Sequence, residues 1–241
     1  MKGIVLAGGL GTRLYPLTKN DNKHLLPVFD KRMVELPMRS LISAGLKDII
    51  LITGGLNPGK FLEIFKNGAS LGANRLYYAY QEGQGGIPEA LKMARPFMSP
   101  GEPCVVILGD NYFENGITKE LSGWTGKGCR VFLKETDTPN QFGIATLEEG
   151  KITAIQEKPE NPQGNLAILG CYMFDGTLWD RMDKLAVSSR GETEILDVVQ
   201  SYLNADKVDY FHYAGFWKDM GTFDSWMSVS ERLSRSEDDK I

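Results

Sequence analysis

Histidine is nearly missing from this sequence, with only His24 and His212 among 241 residues. That scarcity excludes a His-rich metal centre. Cysteine is also sparse: Cys104, Cys129 and Cys171 lie far apart, each in or beside an apolar run. No pair has metal-ligand or redox spacing, so they read as buried, reduced thiols of a cytosolic protein. No apolar run approaches the roughly 18 residues that a membrane span needs. The N-terminus has no signal-peptide pattern, which gives a cytoplasmic expectation without a membrane partner. A basic excess is lacking too. There are 27 Lys and Arg against 31 Asp and Glu, a net charge of -4, so no broad positive face suits nucleic acid. An anionic substrate would have to be held by a few placed cations. Internal repeats and low-complexity linkers are absent. What remains is ordinary globular composition, 42% hydrophobic and 24% charged, in a chain long enough for a sizeable core.

Through the first half, short β-branched runs alternate with longer mixed stretches. Strands are predicted at Gly3–Leu6, Asp48–Thr53, Arg75–Tyr80 and Cys104–Leu108, and helices near Val34–Ala44, Gly59–Asn67 and Ile87–Phe97. That alternation argues for βαβ units and a mostly parallel sheet, with ligands beyond the carboxyl ends of its strands. From residue 128 the pattern changes. Strands are predicted at Gly128–Lys134, Gly143–Leu147, Lys151–Gln156 and Ala167–Phe174, with a hairpin signal at Glu148-Glu149-Gly150-Lys151. Helices follow near Thr177–Asp183, Thr193–Leu203 and Phe223–Leu233, and the charged tail 234–241 is expected to fray. The expectation is one domain over 1–241. Residues 1–127 would be its nucleotide-binding half, and 128–233 a strand-rich half with a second ligand pocket.

The segment Leu6-Ala7-Gly8-Gly9-Leu10-Gly11-Thr12-Arg13-Leu14 follows the first strand directly. Three glycines in four positions let a backbone turn tightly and present N–H groups to an anion, and Arg13 adds a forked cation. A phosphate-holding loop is the reading; a ligand-free glycine turn is the alternative. A dinucleotide fingerprint would require a third glycine where Leu14 stands, and a Walker loop would require Gly-Lys-Ser/Thr. Lys23, just before Leu25-Leu26-Pro27-Val28, is a candidate second phosphate clamp if paired with this loop, and otherwise a solvated lysine. His24 beside it receives no role.

The opening signature, with Tyr15-Pro16-Leu17-Thr18 and Lys23-His24-Leu25-Leu26-Pro27-Val28, closely resembles that of the sugar-1-phosphate nucleotidyltransferases, and within them the glucose-1-phosphate thymidylyltransferases. The likeness extends to about residue 233. It implies a Rossmann-like three-layer α/β nucleotidyltransferase fold, with a mostly parallel central sheet and an added sugar-binding, strand-rich half. It also implies the reaction: dTTP and glucose 1-phosphate give dTDP-glucose and pyrophosphate, by Mg²⁺-dependent in-line displacement. A homodimer or homotetramer is expected from the same likeness.

Residue by residue, the resemblance assigns nucleotide contacts to Leu6, Gly8, Gly9, Gly11, Thr12, Arg13, Gln81, Gly86 and Asp110. Gln81 would read the pyrimidine edge, for which an amide offers both donor and acceptor. The following Glu82-Gly83-Gln84-Gly85-Gly86-Ile87-Pro88-Glu89-Ala90 departs from the family's usual Gly-Leu-Ala-Gln-Ala, which leaves base preference open. Leu108-Gly109-Asp110-Asn111 and Trp217-Lys218-Asp219-Met220-Gly221-Thr222 match the family's two metal acids, so Asp110 and Asp219 are expected to hold Mg²⁺. Sequence distance alone does not pair them. Phe142-Gly143-Ile144-Ala145, Glu157-Lys158-Pro159, Gly170-Cys171-Tyr172 and Arg190-Gly191-Glu192-Thr193-Glu194-Ile195 match the sugar side. The expected sugar-phosphate set is Asn111, Gly143, Glu157, Lys158, Ile168, Tyr172 and Glu194. For Glu194 a helix-start acid is the alternative.

Catalysis is expected from Arg13, Lys23, Asp110, Lys158 and Asp219, acting by position and charge. No general base is required, because a phosphate monoester with a second pKa of about 6 is already largely dianionic near neutral pH. Loss of Arg13 or Asp110 should cost orders of magnitude in turnover while the fold survives. Rival readings are a uridylyl, cytidylyl or other nucleotidyltransferase with a different hexose 1-phosphate, and a non-catalytic nucleotide-sugar sensor on the same scaffold. Without a long C-terminal extension or β-helix domain, the helix surfaces that longer relatives use for allosteric product binding are expected to be absent or rearranged.

Overall fold

A computed structural model describes residues 1–83, 85–185 and 194–238. In chain order its elements are β1 (Lys2–Ala7), β2 (Pro27–Val28), β3 (Lys31–Arg32), α1 (Glu35–Ser43), β4 (Asp48–Gly54), α2 (Gly59–Phe65), β5 (Arg75–Gln81), α3 (Gly86–Lys92), β6 (Gly101–Leu108), β7 (Asn111–Phe113), α4 (Thr118–Leu121), β8 (Cys129–Glu135), β9 (Gly143–Glu148), β10 (Lys151–Glu157), β11 (Leu166–Gly176), α5 (Leu178–Met182), α6 (Ile195–Leu203), β12 (Val208–His212), β13 (Trp217–Asp219) and α7 (Phe223–Asp238). The α/β class expected from the sequence is borne out. Residues divide into two compact units: 2–84 with 107–118 and 215–241, and 1 with 85–106 and 119–214.

In the first unit, β1, β4 and β5 are parallel, with Gly3 to Ala7 opposite Ile49 to Thr53, and Asp48 to Gly54 opposite Arg75 to Gln81. The apolar runs Gly3–Leu6 and Ile49–Ile52 are buried throughout, as a strand covered on both faces must be. Helix α1 lies against β1 where Gly3 leaves room. A Cβ there would come within 2.8 Å of a Leu41 methyl. The register sets the carboxyl ends of β1, β4 and β5 side by side, so Gly8, Gly54 and Gln81 meet at one edge. Asp219 and α7, grouped from sequence with the second half, belong here. Strand β13 pairs antiparallel with β7, placing Asp219 opposite Asn111. Leu14, Val28, Met33, Leu36, Tyr112, Met220 and Val229 form one buried cluster, with Phe223, Trp226 and Leu233 packed against it. Leu14, the residue that breaks the dinucleotide fingerprint, is therefore a core anchor for the loop.

In the second unit, β10, β9, β11 and β8 are antiparallel neighbours, and β12 adds parallel to β8. The hairpin at residues 148–151 is present, with Glu149 and Gly150 both at positive φ. Cys104, Cys129 and Cys171 are buried and free. Burial pushes the Cys104 thiol up to about 12, so it stays protonated.

Differences from the sequence reading have local causes. The helix predicted over Ile87–Phe97 stops at Lys92 and resumes as a 3-10 turn at Arg95–Phe97, where Pro96 lacks an amide hydrogen. Strands β2, β3, β7 and β13 span two or three residues each, too short for alternation to register. Strand β12, Val-Asp-Tyr-Phe-His, alternates no better, because no residue in it is fully buried. Helix α7 runs to Asp238 rather than ending at Leu233. Gln84, residues 190–193 of the arginine-led motif and the last three tail positions lie outside the described residues.

Candidate functional site

The glycines after β1 do more than expose amides. A Cβ on Gly9 would stand 3.1 Å from Lys23 Cε, and one on Gly11 would stand 2.7 Å from Lys23 Cβ. The lysine stem thus runs along the loop, in space the missing side chains leave. Gly11 adopts φ 68°, a region costly for other residues, and its carbonyl accepts from Thr18 Oγ1 at 2.6 Å. Thr12 and Arg13 follow in an exposed 3-10 turn that the buried Leu14 pins down. Gly8 meets the next two strand ends. A Cβ on it would lie 2.7 Å from Gln81 Oε1, and one on Gly54 would lie 3.0 Å from Gly8 Cα. Leu6, the last apolar residue of β1 before Ala7, is buried and accepts from Gly109 N at 2.8 Å through its carbonyl.

Lys23 reaches Asp110, with which it forms a largely buried ion pair. The Lys23 ammonium, with the hydrogen bonds from Lys23 and Asn111, holds the Asp110 carboxyl well below the usual carboxylate range despite burial. Asn111, assigned from sequence to the sugar phosphate, is 1% exposed. Its Nδ2 donates to Asp110 Oδ1 at 3.0 Å, and its Oδ1 accepts from Trp217 Nε1 at 2.8 Å. It therefore orients the aspartate rather than facing solvent. Met220 N donates to the Asp110 carbonyl at 2.8 Å, which closes β13 onto the turn.

Asp219 completes the group. Its Oδ1 accepts from Gly221 N at 2.7 Å, and a Cβ on Gly221 would fall 2.5 Å from Arg13 Nη2. Arg13 thus lies beside this second carboxylate. Burial first, and the neighbouring Asp110 charge second, push Asp219 up to about 6. Because the folded form favours protonation, the stability Asp219 contributes is full below its unfolded pKa near 4. It is lost as pH rises through about 6. Asp219→Asn is accordingly expected to raise the thermal midpoint by several degrees at pH 8 and by little at pH 4.5. An equal shift at both values, read by calorimetry, would remove the repulsion argument.

Two mutually repelling carboxylates, the buried Asp110 in the turn before β7 and the half-buried Asp219 at the end of β13, suit a divalent cation, which takes one or two protein carboxylates and fills the rest of its shell with phosphate and water. Among the described residues no group of three or more His, Cys, Asp or Glu is arranged for a metal.

The remaining sugar-side residues belong to the second unit. Gly143 stands opposite both Ile168 and Glu157 across its strand. A side chain at Gly143 would collide with Leu196 of α6. Lys158 takes φ 41°, donates its N–H to the Phe142 carbonyl at 3.1 Å, and keeps its half-exposed ammonium 3.2 Å from Glu157 Oε1. Tyr172 is 4% exposed and stacks on Phe174, and burial raises its phenol far above the ordinary value. Glu194 is the N-cap of α6, in a capping box with Asp197. Gly86 opens α3 at φ 82°.

The Nucleotidyl transferase family matches residues 2–236. The chain belongs to that family. Among proteins similar to this nucleotidyl transferase is the glucose-1-phosphate thymidylyltransferase of Xanthomonas campestris. The two are 39% identical over 230 residues, 93% of this chain and 77% of the relative. The enzyme of that name from Mycolicibacterium smegmatis is 36% identical over 236 residues, 96% of this chain and 81% of the relative. A Bacillus anthracis structure described as a glucose-1-phosphate thymidylyltransferase, in complex with a sucrose, superposes with a TM-score of 0.91 at 37% identity. It covers 96% of this chain and 94% of its own. A UDP-glucose pyrophosphorylase complexed with UDP-glucose shares the fold at 21% identity, with a TM-score of 0.83 over 98% of each chain. Among the described residues no helix of this nucleotidyl transferase is long and apolar enough to cross a membrane.

Proposed function

We propose that the chain transfers a thymidylyl group from dTTP to glucose 1-phosphate, releasing pyrophosphate, as a single nucleotidyltransferase domain. The observation that carries this is the grouping of Asp110, Asp219, Lys23 and Arg13 beside the glycine loop, in a chain related to glucose-1-phosphate thymidylyltransferases. The family reading adds a cytoplasmic homodimer or homotetramer.

The chain's residues act by placement. The glycine loop with Thr12 and Arg13 cradles the triphosphate, Arg13 balances charge on the departing pyrophosphate, and Lys23 steadies the α-phosphate. Gln81 reads the base, with Gly86 leaving it room. Asp110 and Asp219 would hold Mg²⁺, which supplies charge neutralisation between two phosphate groups that otherwise repel. Lys158 is the candidate cation for the incoming sugar phosphate, with Gly143, Glu157, Ile168, Tyr172 and Glu194 around the hexose. The sugar phosphate oxygen attacks the α-phosphorus, the bond to pyrophosphate breaks on the opposite side, and no proton needs to be removed from the nucleophile.

A pyrophosphate-release assay tests the reading. It sets dTTP, UTP, CTP and GTP against glucose, galactose, mannose and glucosamine 1-phosphates, with and without Mg²⁺. The expected result is fastest release with dTTP and glucose 1-phosphate, and none without the cation. Preference for UTP would assign the unusual Pro88-Glu89 segment to another base. No release in any combination would favour a sensor.

A further inference from the structure

The imidazole of His24 is 2% exposed and has no part in the chemistry above, yet it stands between three strand ends. Its Cε1 lies 3.9 Å from where a Gly9 Cβ would be. Its Cδ2 and Nε2 lie 2.8 and 3.2 Å from where a Gly109 Cβ would be. Neither glycine has a side chain, so the ring itself fills the space between the phosphate loop after β1 and the turn after β6 that carries Asp110. Asn22 ties it to β4. Asn22 Nδ2 donates to the Gly54 carbonyl at 2.8 Å, while Oδ1 accepts from His24 N at 3.0 Å and lies 2.8 Å from His24 Nδ1. An oxygen that only accepts requires a proton on Nδ1, and burial of the ring disfavours a second proton on Nε2, so the ring is neutral. The main chain is held independently, with Val34 N donating to the His24 carbonyl at 2.9 Å.

We propose that His24, anchored by Asn22, is a positioning residue: a neutral spacer that sets the distance between the phosphate loop and the Asp110 turn. This rests on the roles proposed above for that loop and that aspartate. In-line transfer needs its reacting groups held in a near-attack geometry, and a displacement of about 1 Å can cost on the order of a hundredfold in rate. A spacer at this point therefore acts on turnover more than on nucleotide affinity.

The test uses the full chain. With only two histidines, long-range ¹H–¹⁵N spectra of the labelled protein at neutral pH resolve both rings, and His212→Gln identifies the exposed one. His24 is expected as the neutral tautomer protonated on Nδ1. His24→Ala and Asn22→Ala are each expected to lower kcat by about ten- to a hundredfold with a smaller change in KM. The double variant should be no worse than the poorer single one, since both remove one device. An Nε2-protonated or charged ring, additive losses, or an unchanged kcat in either single variant would overturn the proposal. The spectrum of the unmodified protein decides the tautomer even if His24→Ala fails to fold. Normal turnover in Arg13→Ala and Asp110→Ala would sink the site reading separately, because the tautomer does not depend on it.

Discussion

Arg13→Ala is expected to slow pyrophosphate release by about a thousandfold or more while leaving the thermal midpoint nearly unchanged. A positioned arginine that balances charge in phosphoryl transfer contributes on the order of 10³ to 10⁵ in rate. Its guanidinium lies beside Asp219, next to the loop proposed to hold the triphosphate, yet the residue is exposed and its turn is pinned by Leu14 rather than by itself. Rate and stability should therefore separate. Lysine at this position should recover only a fraction of the rate, because a point charge cannot reproduce a planar fork. A variant that releases pyrophosphate at the unmodified rate would remove Arg13 from the mechanism.

Asp110→Ala should behave differently, losing orders of magnitude in turnover and also several kcal/mol of stability. From sequence alone the fold should survive this change untouched. The buried ion pair with Lys23 corrects that expectation, because truncating one partner leaves the other charge without compensation, typically at a cost of about 3–5 kcal/mol. The sign follows from the depressed Asp110 carboxyl. A group whose folded pKa lies below its unfolded value stabilises the protein above the unfolded pKa, near 4. That contribution fades as pH falls further. The difference in unfolding free energy between the two proteins should therefore be full at pH 7 and shrink toward pH 3 in denaturant titrations. A pH-independent difference would mean that the carboxylate's charge is not what the fold uses. Lys23→Met should show the same loss of stability at pH 7, since it strands the carboxylate instead.

Much of this molecule is legible along the chain. The parallel strands β1, β4 and β5 read directly as β-branched runs separated by helical stretches. Buried strands must be apolar along their whole length, and the connecting helices need room to cross back. The glycine loop was legible for the same reason, since three absent side chains in four positions have few other uses. Helix α6 and the hairpin at residues 148–151 also announce themselves, by amphipathic spacing and by turn residues. The short pieces do not. Strands β7 and β13 hold three residues each, and their pairing, which brings Asp219 opposite Asn111, depends on contacts between segments about a hundred residues apart.

By itself the sequence determined the class of fold, the glycine-rich loop after β1 and the two acidic motifs, because each is written in contiguous residues whose side chains, or lack of them, restrict the backbone locally. Only the tertiary structure decided that glycines 9 and 11 make room for a lysine, that this lysine neutralises Asp110, that Asn111 faces inward, and that His24 fills the gap between two strand ends. Those facts are distances between side chains from different strands, and they exist only once β1, β4, β6 and β13 have been brought to a common edge.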